Sequence, residues 1–223
     1  MCGRFTLFDS ADSVAERFGL PDAPSLSPRY NIAPSQMVAA VRIPPGGRER
    51  ELVWLRWGLV PSWAKDPAIG NRMINARAET AADKPAFRTA IRRRRCLVPA
   101  DGFYEWKRVN GRKQPYYIRL GGGAIFAFAG LWESWQGPDH ASVESCTILT
   151  TGPNDLLRPI HDRMPVILSP RDYDLWLSPA EQDPGALAPL FHPYPPEEMT
   201  VFPVGTAVNN PKTDTPALIE PLR

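Results

Sequence analysis

Proline constrains this chain more than any other feature. There are 26 prolines in 223 residues, more than twice the ~5% usual in globular proteins, and they are scattered rather than clustered. A proline inside a helix removes a hydrogen bond and clashes with the preceding turn, so a helical bundle or coiled coil is excluded. Short strands, turns and brief helices remain. With 43% hydrophobic and 22% charged residues, the sequence fits one folded domain over residues 1–223 rather than a disordered chain. The longest strongly apolar run, Ala124 to Trp132, falls well short of the ~18 residues that cross a bilayer. Met1-Cys2-Gly3-Arg4 leads into mixed polar sequence with no apolar signal region. The expectation is a cytoplasmic protein with no membrane partner. The three cysteines, Cys2, Cys96 and Cys146, are odd in number and far apart, which favours free thiols over a disulfide framework.

The local patterns predict few helices. Ser10 is placed to cap one through Phe18, with Val14 and Phe18 on one face and Gly19 at its end. A second is expected from Pro85 to about Arg93, with Phe87, Ala90 and Ile91 inward, and others near 154–158, 170–177 and 184–191. Strands are expected over 38–43, 51–57, 96–109, 115–120, 125–132, 145–151, 165–168 and 199–204. Asn110-Gly111 marks a hairpin, and Gly121-Gly122-Gly123 reads as another turn of that kind. Strands and helices do not alternate, so a doubly wound sheet is disfavoured. The fold class expected is α+β, with a mainly antiparallel, barrel-like core and a few short peripheral helices.

Charge is unevenly distributed. Residues 1–120 hold 21 Lys and Arg against 11 Asp and Glu, whereas residues 121–223 hold 5 against 13. Arginine supplies 21 of the 26 cations, and its planar fork suits phosphate and stacks on bases. The four arginines 92–95 are read as a solvated face and helix C-terminal cations, because helical spacing spreads them around the helix end. No P-loop, nucleophile elbow, dinucleotide fingerprint or zinc-ligand pair occurs. His140, His192, Cys96 and Cys146 have no companion at ligand spacing and read as structural or surface residues, so neither metal nor cofactor is implied.

The N-terminus is what remains. Cysteine at position 2 is small enough to allow removal of Met1, which leaves an α-amine and a thiol on adjacent carbons. Such groups titrate near ~7.7 to 8 and ~8.5 in unperturbed peptides. Part of the amine is therefore unprotonated at neutral pH and able to attack an aldehyde, after which the thiol can close a five-membered thiazolidine.

Further blocks combine polar groups with aromatics or prolines. They are Arg29-Tyr30-Asn31-Ile32-Ala33-Pro34, Trp57-Gly58-Leu59-Val60-Pro61-Ser62-Trp63, Asn75-Ala76-Arg77-Ala78-Glu79-Thr80, Gly102-Phe103-Tyr104-Glu105-Trp106 and His161-Asp162-Arg163-Met164-Pro165. With Met1-Cys2-Gly3-Arg4-Phe5 they resemble, in order from Cys2 to about Asn210, the SOS-response-associated peptidase (SRAP) family. The resemblance implies a protein that binds single-stranded DNA and captures abasic sites, whose ring-opened sugar presents an aldehyde. Cys2 would be the linking residue, Asn75 would lie beside the linkage, Glu105 would be an acid/base group near the amine, and His161 would assist proton transfer.

The residue chemistry agrees. Imine formation expels water and needs a proton donor, which a histidine supplies near neutral pH. A carboxylate can take the amine proton, and a neutral amide can bond sugar oxygens without titrating. Arg4 and Arg77 are the expected phosphate contacts, and Trp57 and Trp63 the expected base-stacking residues. The partner expected is single-stranded DNA carrying abasic sites, bound by a monomer. Two alternatives stay open: a thiol or autoprocessing peptidase built on Cys2, and a non-covalent single-strand binder.

Overall fold

The computed structural model describes residues 2–138 and 141–222; Met1 and His140 lie outside them. The chain opens with β1 (Phe5–Leu7), followed by α1 (Ala11–Phe18). Ser10 caps α1 by accepting from the Ser13 N–H, and Gly19 ends it in the left-handed conformation, as the sequence signals indicate. There follow β2 (Arg29–Ile32), β3 (Met37–Arg42), β4 (Glu51–Trp57), β5 (Asn75–Arg77) and α2 (Ala90–Arg93). Next come β6 (Arg95–Ala100), β7 (Gly102–Val109), β8 (Arg112–Leu120), β9 (Phe126–Gln136) and β10 (Ser142–Thr151). The last elements are β11 (Met164–Pro165), β12 (Ile167–Leu168), α3 (Tyr173–Leu177), α4 (Pro184–Leu187) and β13 (Met199–Pro203).

Pairing of β10 with both β4 and β9 closes the ring β10-β4-β3-β6-β9 into a five-stranded barrel. Within the ring only β10 with β4 is parallel. A second, antiparallel sheet runs β13-β8-β7-β1-β2. Phe5 joins the two layers, with edge-on contacts to Trp57 at 5.2 Å and Phe128 at 5.7 Å between ring centroids. Burying an aromatic of this size contributes about 1.5–3 kcal/mol, so β1 is held firmly against the barrel. The expected α+β class, with its mainly antiparallel barrel and short helices, is what the chain forms.

Several boundaries differ from expectation. The strand expected over 96–109 is two strands in different sheets, divided at Asp101. Its buried carboxylate accepts from the Phe8 and Asp9 N–H groups, and its own N–H bonds Thr6 O, which turns the chain from barrel to sheet. Asn110 and Gly111 both have positive φ, the type I′ geometry that the hairpin β7–β8 needs. Gly121–Gly123 carries the chain from β8 to β9 in the other sheet and so is not a hairpin turn. Of the helix expected over 85–93 only Ala90–Arg93 is helical, the preceding residues forming successive turns. The segment 154–158 likewise forms turns, opened by Asn154 Oδ1 accepting from the Leu157 N–H and continuing past Pro159, where the Ile160 and His161 N–H groups donate to Leu157 O.

The four arginines are not one solvated face. Arg92 and Arg93 are exposed, and Arg94 pairs with Glu133 at 2.9 Å. Arg95 is buried and donates to the carbonyl oxygens of Ile91, Arg92, Trp176, Ser178 and Glu181. The helix-end role holds for Arg95, but its guanidinium ties α2 to the segment after α3 instead of meeting water. Cys96 and Cys146 are free and buried, and His192 is exposed.

Candidate functional site

Phe5 anchors β1, so Cys2 just upstream has little freedom. Its side chain is fully buried, and its carbonyl oxygen accepts a 2.8 Å hydrogen bond from Asn75 Nδ2. Asn75 opens β5, which pairs in parallel with β10 through Ile148, so the amide is carried on a barrel edge. The Asn75 Oδ1 is buried and has no hydrogen-bond partner among the described residues. Burial drives the Cys2 thiol well above the usual thiol range, and the nearby Glu105 pushes it the same way. At neutral pH this sulfur is a thiol, not a thiolate.

Glu105 lies on β7 and is only 2% exposed. Burial raises its carboxyl above the ordinary value, an effect partly offset by His161. A carboxyl shifted in that direction can both take and return a proton nearer neutrality than a solvated glutamate can. His161 sits in the segment before β11 and is half-buried. Its Nδ1 lies 3.0 Å from the Arg163 backbone N and 2.9 Å from an Asp162 carboxylate oxygen. A bare Nδ1 accepts from the Arg163 N–H, and a protonated one donates to Asp162. Each protonation state therefore has a partner, as a proton-transfer group requires.

Glu105 and His161 line the same open cleft as Gly3 and Arg4, with a volume of about 900 Å³. Trp106, Lys107, Arg108 and Lys113 from the β7–β8 hairpin and Asp162 complete much of its wall. The three hairpin cations were not singled out from sequence. Nor were Glu79 and Arg163, although both stand in the motif blocks. Arg163 makes a two-pronged ion pair with Glu79 at 2.7 and 2.8 Å and donates to Thr150 O at 2.5 Å. Since Thr150 is in register with Arg77 on β5, this clamp ties the His161 segment to the strand bearing Asn75. The signal available in sequence was a Glu and an Arg in separate blocks, with nothing to pair them.

The residues expected to contact nucleic acid divide. Arg77 is exposed, and by strand alternation it shares a face of β5 with Asn75. Arg4 lines the cleft, but its guanidinium donates to Asn31 Oδ1, Val208 O and Asn209 O, so much of its capacity holds the 208–209 segment. Trp63 is 58% exposed and borders a separate groove with Lys65, Asn71 and Arg72. Trp57 is fully buried, its ring against Phe5 and its Nε1 donating to Ile74 O at 2.8 Å. The expectation that Trp57 stacks on bases is therefore corrected: it ends a barrel strand with its side chain turned inward. Gly58, which follows with φ 127°, must be glycine because a Cβ there would lie 2.5 Å from Gly70 O. Among the described residues no group of three or more His, Cys, Asp or Glu is placed to hold a metal ion, and no helix is long and apolar enough to cross a membrane.

The family model described as SOS response associated peptidase (SRAP) matches residues 1–211. The chain is 48% identical over 225 residues to the abasic site processing protein YoqW of Bacillus subtilis (strain 168), covering 99% of each. It is 35% identical over 191 residues to the abasic site processing protein HMCES of Xenopus tropicalis, covering 75% of this chain and 56% of that one. A protein from Bacteroides thetaiotaomicron of known crystal structure superposes with a TM-score of 0.89 at 27% identity, covering 100% of both chains.

Proposed function

The chain belongs to the SRAP family, and from that premise we propose that it processes abasic sites in single-stranded DNA by covalent capture at Cys2. The observation that carries this is the convergence of Gly3, Glu105 and His161 on one cleft beside a Cys2 whose carbonyl is held by Asn75. Loss of Met1 leaves Cys2 with a free amine. That amine attacks the sugar aldehyde to give a carbinolamine, and a proton delivered to the departing oxygen releases water and leaves an imine. The Cys2 sulfur then bonds to the imine carbon while its proton passes to nitrogen, closing the thiazolidine. One water is lost overall and nothing is oxidised or reduced.

In this scheme Glu105 accepts the amine proton and His161 supplies the proton to the sugar oxygen. The Asn75 Oδ1, without a partner among the described residues, accepts from a sugar hydroxyl. A sulfur kept as a thiol by burial suits a ring closure in which it delivers its own proton. It suits a thiol peptidase poorly, because such nucleophiles need a lowered pKa. The same proton groups serve ring opening, so release is catalysed along with capture.

Time courses of adduct formation on an abasic oligonucleotide, and of release into excess competitor, test the scheme in wild type, Glu105→Gln and His161→Ala. A positioned acid or base contributes about 10²- to 10⁴-fold to a rate, so both variants should slow in both directions while the end point survives. Unchanged rates in both directions would remove these residues from the chemistry. Blocking the α-amine separates the other readings: capture fails, a thiol peptidase persists, and simple binding is unaltered.

A further inference from the structure

The cleft needs a source of positive charge, and Arg4 is largely committed to Asn31, Val208 and Asn209. The remaining cations that line it, Lys107, Arg108 and Lys113, all stand on the β7–β8 hairpin. Arg108 and Lys113 are exposed and directly opposite each other in the ladder, and Lys107 is half-buried opposite Gln114. From Trp106 to Arg119 the sequence holds no Asp or Glu, so the outer part of the hairpin presents these charges without a neighbouring carboxylate, the buried Glu105 at its base being the one acidic residue of its two strands. It is also a stiff element. The ladder is continuous from Gly102–Arg119 to Val109–Arg112, the turn is tight, and Trp106 Nε1 is fixed by a 2.8 Å bond to Asn209 Oδ1. A polyanion meeting cations carried on an already ordered ladder pays little entropy for ordering the backbone beneath them.

We infer that the β7–β8 hairpin is the phosphate-binding arm of the cleft, and that Lys107, Arg108 and Lys113 hold the backbone of the single-stranded nucleic acid that enters it. The inference rests on the cleft's taking nucleic acid, as proposed above. It assigns the electrostatic part of binding to this hairpin rather than to Arg4, and it is independent of the covalent step.

The test therefore removes that step. Binding of a fluorescent single-stranded oligonucleotide without an abasic site is followed by anisotropy between about 50 and 200 mM salt. The proteins compared all carry Cys2→Ala: the parent, the triple variant Lys107→Ala/Arg108→Ala/Lys113→Ala, and a charge-matched variant at exposed positions outside the cleft, Arg48→Ala/Arg88→Ala/Arg93→Ala. Each single-strand phosphate contact contributes roughly 0.7 to the slope of log affinity against log salt. The hairpin variant should thus lose about 2 from the slope. Equivalently, the parent should lose roughly 20-fold more affinity than the hairpin variant over that salt range. The charge-matched variant should keep the parent slope, and thermal unfolding of all three should coincide. Binding by the parent with an equal slope in the hairpin variant overturns the hairpin assignment alone, as does an equal loss in the charge-matched variant. No binding by the parent overturns the nucleic-acid function and the hairpin assignment together.

Discussion

Asn75→Ala probes the joint between scaffold and chemistry. The amide makes one defined bond, from Nδ2 to the Cys2 carbonyl at 2.8 Å, and leaves Oδ1 buried without a partner among the described residues. Truncation leaves the carbonyl of a fully buried residue unpaired, which costs about 1–3 kcal/mol. It also forfeits the bond that Oδ1 would make to a sugar hydroxyl, worth about 1 kcal/mol. Not all of this falls on the barrier, since part appears as lost stability of the N-terminal segment. If half of it does, the single-turnover rate of adduct formation on an abasic oligonucleotide falls by about 0.7 to 1.5 decades, at 1.36 kcal/mol per decade. Asn75→Asp should be worse than alanine, because a carboxylate cannot donate to the Cys2 carbonyl and repels it. The assay is rapid mixing at saturating DNA, with adduct resolved on denaturing gels. A loss below about threefold in Asn75→Ala, or an aspartate variant as fast as wild type, would refute the assignment of Asn75 as the holder of Cys2.

Other consequences follow from burial. Trp57→Ala should cost about 3–5 kcal/mol in urea unfolding, whereas Trp63→Ala should change stability by less than about 0.5 kcal/mol and weaken single-strand binding by about 1–3 kcal/mol for each base unstacked. Asp101 is buried, and desolvation lifts its carboxyl from 3.8 to about 6 despite the two backbone N–H bonds that it accepts. Its folded pKa is raised, so its contribution to stability is full below the unfolded value and is lost as pH rises through about 6. Between about pH 3.5 and 7, wild type should therefore lose on the order of 3 kcal/mol relative to Asp101→Asn. Parallel pH profiles for the two proteins in denaturant titrations would contradict the linkage.

The scattered prolines and irregular strand spacing were enough to indicate a barrel-like α+β class, because both act locally on helix formation. The cap at Ser10, the stop at Gly19 and the turn at Asn110-Gly111 were legible for the same reason. Closure of the barrel was not, since it depends on β10 meeting β4 in parallel across about ninety residues. Asp101 shows the limit most clearly: a continuous strand-like run is divided by a carboxylate whose partners, Phe8 and Asp9, are distant in sequence. The inward turn of Trp57 was hidden because a strand end has two faces and the sequence did not say which met Phe5. The site was legible where one residue carries its own chemistry, as Cys2 does. It was illegible where chemistry depends on pairing, as for Arg163 with Glu79 and for the hairpin cations beside Glu105.

Intact-protein mass spectrometry reads capture at Cys2 without an intermediary. Protein lacking Met1 is mixed with a single-stranded oligonucleotide bearing one abasic site, and with the same oligonucleotide undamaged, then denatured and weighed. Capture at Cys2 gives a species equal to protein plus abasic oligonucleotide less one water, absent with undamaged DNA and absent in Cys2→Ala. A stable adduct at full yield in Cys2→Ala, or none in wild type whose Met1 is shown to be gone, would contradict capture at Cys2.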